Sequence, residues 1–293
     1  METSVELAVG TRRLTVDVAH GPRVVSLLDL DGQELMASLD PPVAVGPTTG
    51  PQAHLRGGHR LWPAPEVPAV TYACDDAVGR VVRTGRGAVA VDDGTPVRRR
   101  LEVATDGDVV RLEHTITNTG SDPLPVAPWA LTQLRPGGVV HLPVGDTPAD
   151  EHGLQASGAI LTWPYTRLAD PRIALTDGVV VIDATGMAPD APPIKLGVDG
   201  SIPWAAYVVG DTVLIVHGPT RSPTAAYVDL GATVQSYACG RFVELEVLGP
   251  LVVLEPGEST ALPVRWTVHP RPPGTGADLA AALPRLAALA DAT

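Results

Sequence analysis

Cysteine is almost absent from this chain, with two residues in 293, Cys74 and Cys239. Two thiols so far apart do not supply the disulfide framework of a small secreted domain. Each follows a Tyr-Ala pair, and both read as small strand residues. No Cys/His spacing of the zinc kind occurs, and the eight histidines are scattered. No Gly-x-Gly-x-x-Gly opens a helix and no Gly-x-Ser-x-Gly elbow is present, so neither a cofactor nor a metal is expected. Positive charge is in deficit, with 21 Lys and Arg against 33 Asp and Glu. That balance argues against the basic face of a nucleic-acid binder. The one dense basic run, Arg98-Arg99-Arg100, reads as a solvated strand end. No apolar run reaches the roughly 18 residues of a membrane span, and Met1 to Gly10 lacks the basic and apolar regions of a signal peptide. The expectation is a soluble, cytoplasmic protein with a small-molecule substrate and no nucleic-acid or membrane partner.

What the chain does have is 30 Gly and 30 Pro. So many breakers do not fit inside long helices, but they suit a chain that turns every ten residues or so. Valine, branched at Cβ, favours the strands between. Alternating segments run over Val5–Val9, Leu14–Val18, Val24–Leu30, Val78–Val82, Ala88–Val91, Val97–Val103 and Val109–Thr117. Asp31-Gly32, Asp93-Gly94 and Asp106-Gly107 supply turn signals. Two stretches, Leu39–Val67 and Ala127–Tyr165, read as irregular. Further strands follow at Gly178–Asp183, Trp204–Val209, Val213–His217, Ala225–Asp229, Phe242–Leu248 and Ser259–His269. Leu279, Leu283, Leu286 and Leu289 recur at helical spacing, which predicts an amphipathic helix over 278–292 despite Pro284. The reading is an all-β sandwich, one domain over 1–293, with a short C-terminal helix docked on it.

The candidate chemistry starts at Phe242-Val243-Glu244-Leu245-Glu246-Val247. Alternation puts Phe242, Glu244 and Glu246 on one face and the aliphatic residues on the other. Two carboxylates so close shift each other's titration, and one can stay protonated near neutrality, as acid–base catalysis requires. The same spacing also fits two carboxylates facing water. In Gly57-Gly58-His59-Arg60-Leu61-Trp62 the glycines permit close backbone approach, Arg60 offers a fork of donors, Trp62 an apolar face, and His59 a group that donates or accepts; the same residue types also fit an Arg paired with an acid beside a core Trp. Trp129, Trp163 and Tyr165 are scarce aromatics in apparently irregular segments, where ligand contact competes with plain packing. Lys195 and Asp229 complete the candidate binding residues.

These blocks, together with Ala127-Pro128-Trp129-Ala130-Leu131-Thr132, Trp163-Pro164-Tyr165 through Asp170-Pro171-Arg172, and Glu244-Leu245-Glu246-Val247-Leu248-Gly249-Pro250 before Pro256-Gly257-Glu258, resemble the galactose mutarotase-like superfamily over about residues 55 to 266. The resemblance implies a twisted two-sheet supersandwich with a sugar site on a concave sheet face. It also implies acid–base interconversion of aldose anomers. Val243-Glu244-Leu245-Glu246 matches the strand motif that carries the general base, which would be Glu244, with Glu246 in place of a Gln. Arg60 would hold the substrate. The segment where such epimerases carry an acid His runs here from Asn118 to Leu131 and contains none. His59 or Lys195 would then supply the proton. The alternatives are another isomerase, lyase or cyclase reaction in the same cleft, or sugar binding without catalysis.

Overall fold

A computed structural model describes residues 3–289 apart from 74, 86, 146–149, 177 and 275. Cys74 and the last three positions of the expected tail helix, 290–292, lie outside the described residues. Two antiparallel sheets stack face to face. The first has eleven strands. Its main path runs Ser4–Val9, Arg12–Asp17, Arg23–Leu27, Ala53–Ala64, Leu124–Leu134, Phe242–Leu248, Val234–Cys239, Ile194–Val198 and Ile160–Thr162. Ser38–Val45 pairs with Ala53–Ala64 and Val252–Leu254 with Leu124–Leu134, both off that path. The second, of ten strands, runs Ile173–Thr176, Val179–Asp183, Val139–Pro143, Trp204–Val209, Thr212–His217, Ser259–Pro270, Val109–Asn118, Val97–Asp106, Gly87–Asp92 and Gly79–Thr84.

Period-2 alternation explains the layering. Val243, Leu245 and Val247 of the first sheet meet Leu112, Tyr207, Leu214, Leu262 and Trp266 of the second in the main core. The residues between them in sequence, Phe242, Glu244 and Glu246, take the opposite face of their strand. The expected helix forms over Ala277–Leu289 with Pro284 inside it. Leu279, Leu283 and Ala287 pack on Trp204, Ala206, Val208, Val213 and Ile215, on the outer side of the second sheet. Leu289, expected on the buried stripe, is exposed. No helix among the described residues is long and apolar enough to cross a membrane.

Four expectations need correction. Leu39–Val67 is not irregular: it holds the hairpin Ser38–Val45 and Ala53–Ala64. Its Pro41 and Pro42 are tolerated because they fall at a break in register between Ser38 and Val43, on a strand off the main path. Ala127–Tyr165 likewise contains Leu124–Leu134, which is central to the first sheet. Pro128 stands opposite Pro63, so the two missing N–H groups fall at one level of the ladder. Ala225–Asp229 is turns leading into a 3-10 turn, Asp229–Gly231, in which Asp229 and Leu230 adopt positive φ. Arg99 is not a solvated strand end. It alternates inward between Arg98 and Arg100 and is buried, with Nε donating to Asp92 at 2.6 Å.

Candidate functional site

Five strands of the first sheet build one polar ladder on the face turned away from the core. Gly58, Gln133, Glu244, Tyr237 and Lys195 stand side by side in register, and Arg60, Leu131, Glu246, Gln235 and Gly197 form the next row. Trp62, Trp129 and Leu248 make a third. The Gly57-Gly58 pair makes this possible. Both have positive φ, and a Cβ would meet Ala37 O at 1.8 Å from Gly57 and Val24 O at 2.4 Å from Gly58. They interrupt the alternation of Ala53–Ala64, so that Leu55 before them and Arg60 and Trp62 after them line the same cavity.

That cavity has a volume of about 180 Å³. Glu244 forms part of it, with Arg60, Glu66, Lys195, Tyr165 and Tyr237 as further polar lining, and Trp62, Trp129, Leu131, Val45, Leu55 and Phe242 as apolar walls. The structure therefore gathers Glu244, Arg60, Trp62, Trp129, Tyr165 and Lys195 from the sequence reading. Glu246 lies just beneath, fully buried, its Oε2 accepting from Lys195 Nζ at 2.9 Å and from Trp129 Nε1 at 2.9 Å. Trp163 sits at the side, its ring centre 4.7 Å from Lys195 Nζ.

Two candidates lie elsewhere. His59 points into the core on the opposite face of its strand from Arg60. It is fully buried, with Nδ1 bonded to Thr132 Oγ1 at 2.9 Å and Nε2 to His114 Nε2 at 2.6 Å, and it packs edge-on against Trp266. Burial holds both imidazoles well below their ordinary range, His114 at about 4. Asp229 is exposed on its turn and reaches the site sheet only through Gln235, whose Nε2 donates to Asp229 Oδ2 at 2.9 Å.

The residue that sequence reasoning missed is Asp75. It is buried at the back of the site, and its Oδ1 accepts from Trp62 Nε1 at 2.6 Å and Arg23 Nη2 at 3.2 Å. Arg99 Nη1 stands 3.8 Å from the same atom and Arg60 Nε 3.9 Å. Arg60 is fixed further by Gln133 Oε1 at 2.9 Å and lies 4.1 Å above the Trp62 ring. Its Nη2 is 3.9 Å from Glu244 Oε1 and makes no hydrogen bond within the protein. Glu66 and Tyr237 were also missed as lining residues. Counting would have helped: the chain's one lysine and its one phenylalanine both line this cavity.

Burial pushes the Glu244 carboxyl up to about 7, the neighbouring Glu246 adds to the push, and Arg60, Lys195 and Gln133 pull the other way. Burial also raises Glu246, against the pull of Lys195. Lys195 loses to burial but gains more from Glu246, Glu244 and Glu66 together, so its ammonium is held above the ordinary lysine range. The two carboxyls titrate as a unit. When the pair holds one proton, that proton rests on Glu244, because Glu246 already takes a charged donor and an indole N–H. Among the described residues no group of three or more His, Cys, Asp or Glu is placed to hold a metal ion.

Replacing Lys195 with Met keeps the aliphatic stem and removes the ammonium. Glu246 is then a buried carboxylate with one neutral donor, so its pKa climbs and its ionised form destabilises the fold. The variant is expected to lose about 3 kcal/mol at pH 8 and less at pH 5. Urea denaturation at both pH values checks this, and an equal loss at the two would contradict it.

No family model and no curated protein matches the chain. Solved structures do. A galactose mutarotase-like protein from Lactobacillus casei ATCC 334 superimposes with a TM-score of 0.59 at 10% identity, covering 91% of this chain and 100% of its own. The chain has the galactose mutarotase-like fold. A candidate aldose 1-epimerase from Escherichia coli K12 shares it, with a TM-score of 0.55 at 14% identity over 91% of this chain and 99% of its own. So does Slr1438 from Synechocystis sp. PCC 6803, with 0.56 at 15% identity over 92% and 96%. In this chain, Glu244, Glu246, Lys195, Trp62 and Trp129 all sit on one face of one sheet.

Proposed function

We propose that the protein interconverts the anomers of a free aldose in this cavity, with Glu244 taking the proton from the anomeric hydroxyl. One observation carries the reading. A carboxyl held at about 7 lies in a small cavity between tryptophan faces and a fixed guanidinium, poised to exchange protons at neutral pH. Arg60 Nη2 has a donor to give to a sugar oxygen, and Trp62 and Trp129 offer faces for sugar C–H surfaces. The Glu246–Lys195 pair sets a fixed charge beneath the base. Ring opening also needs a proton at the ring oxygen. His59 faces the core, so the cavity groups left for this are the Lys195 ammonium and the phenols of Tyr165 and Tyr237. Burial pushes both phenols up, which keeps them as O–H donors.

The volume of about 180 Å³ lies below the roughly 300–1,000 Å³ of sites for drug-sized ligands, which favours one sugar ring over an oligosaccharide. Magnetisation-transfer NMR of anomer exchange, with and without the protein, tests the reading across a panel of aldoses. Acceleration in the wild type that disappears in Glu244→Gln is the expected result. No acceleration with any aldose would remove the epimerase reading and leave sugar binding, or proton transfer on another small molecule.

A further inference from the structure

A carboxamide has two unlike ends, an oxygen that only accepts and a nitrogen that only donates, so its orientation decides what it does to its neighbours. Gln133 is fully buried in Leu124–Leu134. In register it stands between Gly58 on one neighbouring strand and Glu244 on the other. Its Oε1 accepts from Gly57 N at 3.0 Å and from Arg60 Nη1 at 2.9 Å. Both partners can only donate, so the oxygen must face Ala53–Ala64. The nitrogen is left on the other side, toward Phe242–Leu248. Residues directly opposite on paired strands have Cβ atoms roughly 5 Å apart, which brings Glu244 within reach of that nitrogen. Resting on the reading of Glu244 as the base, we propose that Gln133 is its positioning residue: a carboxamide locked by Gly57 and Arg60 turns its N–H toward Glu244 and favours the carboxylate, the form that accepts a proton.

The buried donors around Glu244 support this. Among the described residues Gln133 Nε2 has no acceptor at ordinary hydrogen-bond length, and its pull is felt at the Glu244 carboxyl, which it draws toward the ionised form. Arg60 Nη2 is in the same state, 3.9 Å from Glu244 Oε1. Two buried donors short of an acceptor therefore flank one carboxyl. A negative charge on Glu244 answers both, and a proton on it weakens the answer to each. The contrast with Glu246 is one of strength. Glu246 receives an ammonium and an indole N–H at 2.9 Å. Glu244 is given a neutral amide and a guanidinium shared with Asp75, enough to ionise it near neutrality and too little to fix it there. Gln133 is not part of the cavity lining, so it acts through Glu244 and Arg60 and not on a substrate.

Two variants test the proposal. Gln133→Glu keeps an acceptor for Gly57 and Arg60 but replaces the nitrogen with a second oxygen facing Glu244. Two carboxyls that share a site hold a proton more tightly. The midpoint of the pH–rate profile for anomer exchange is expected to rise by about one unit or more, with activity down about tenfold at pH 6 and regained above pH 9. Gln133→Met removes the donor without adding charge. It is expected to raise the midpoint as well, and also KM, because Arg60 loses an acceptor. The Glu244 midpoint is read independently of turnover by carbon-13 NMR of protein labelled at the glutamate carboxyls, with the Glu244 signal assigned by its loss in Glu244→Gln. A Glu244 midpoint in Gln133→Met equal to that of the wild type, or a pH–rate profile that keeps its midpoint in Gln133→Glu while only its height falls, would overturn the proposal and leave the epimerase reading standing. A Glu244 midpoint that moves with Gln133 in a protein without anomer exchange would remove the epimerase reading and keep Gln133 as the residue that sets this carboxyl.

Discussion

Asp75→Asn is expected to cost the protein about 4 kcal/mol, the loss seen when one member of a buried charge cluster is removed, and to lower the melting temperature by on the order of 10 °C. The change alters neither size nor shape, and the amide oxygen can still accept from Trp62 Nε1. What goes is the one negative charge that Arg23, Arg60 and Arg99 share at 3.2, 3.9 and 3.8 Å. Asp92, at 2.6 Å from Arg99 Nε, still balances Arg99, but Arg23 loses the carboxylate it is paired with. Burial already pulls Arg23 down to about 10, with Asp75 opposing it and Arg60 and Arg99 adding to it. A second effect follows at the site. Once Asp75 is neutral, the charge of Arg60 falls more fully on Glu244, and the Glu244 carboxyl is expected to titrate lower than in the wild type. Urea denaturation reads the first effect and the pH dependence of the variant reads the second. An Asp75→Asn protein as stable as the wild type would mean that the arginines hold one another's charge in some other way.

Much of the fold was legible because its signals are local. The alternation of Phe242–Leu248 put Val243, Leu245 and Val247 inward and the two glutamates together on the other face, and both placements hold. Leucines at three- and four-residue steps gave the C-terminal helix. The misreadings fall where proline and glycine densities override pattern. Ala53–Ala64 and Leu124–Leu134, two central strands of the site sheet, looked irregular because composition says nothing of two prolines meeting at one rung or of two glycines making a single break. The site was half legible for the same reason. Glu244, Arg60, Trp62, Trp129 and Lys195 sit in patterned blocks. His59 was taken with Arg60 because they are neighbours in sequence, yet neighbours on a strand face opposite ways. Asp75 follows a short helical turn and contacts arginines 15, 24 and 52 positions away. No local period encodes such separations, so its role could not be read before the strands were placed.

Glu244→Gln is expected to separate catalysis from stability, because the two respond to the same proton in opposite directions. If the ionised carboxylate is the base, wild-type anomer exchange rises with pH through about 7, the position to which burial and Glu246 push this group. The variant should lose about 10²- to 10⁴-fold, the usual contribution of a positioned acid or base. Stability runs the other way. A carboxyl whose folded pKa lies above its unfolded value favours the protonated form. Its contribution is fully present below about 4.5 and is lost as pH rises through about 7, so that ionised Glu244 costs the wild type about 3 kcal/mol near pH 8. Glutamine carries no such proton. Between pH 5 and 8 the wild type should therefore weaken relative to Glu244→Gln, which should equal or exceed its stability at pH 8 while remaining inactive. A variant that is inactive and also less stable at every pH would make Glu244 a structural partner of Arg60. A wild-type rate that falls as pH rises through 7 would give the protonated carboxyl the chemical role, as donor to the ring oxygen, and would move the search for the base to another group on the same face.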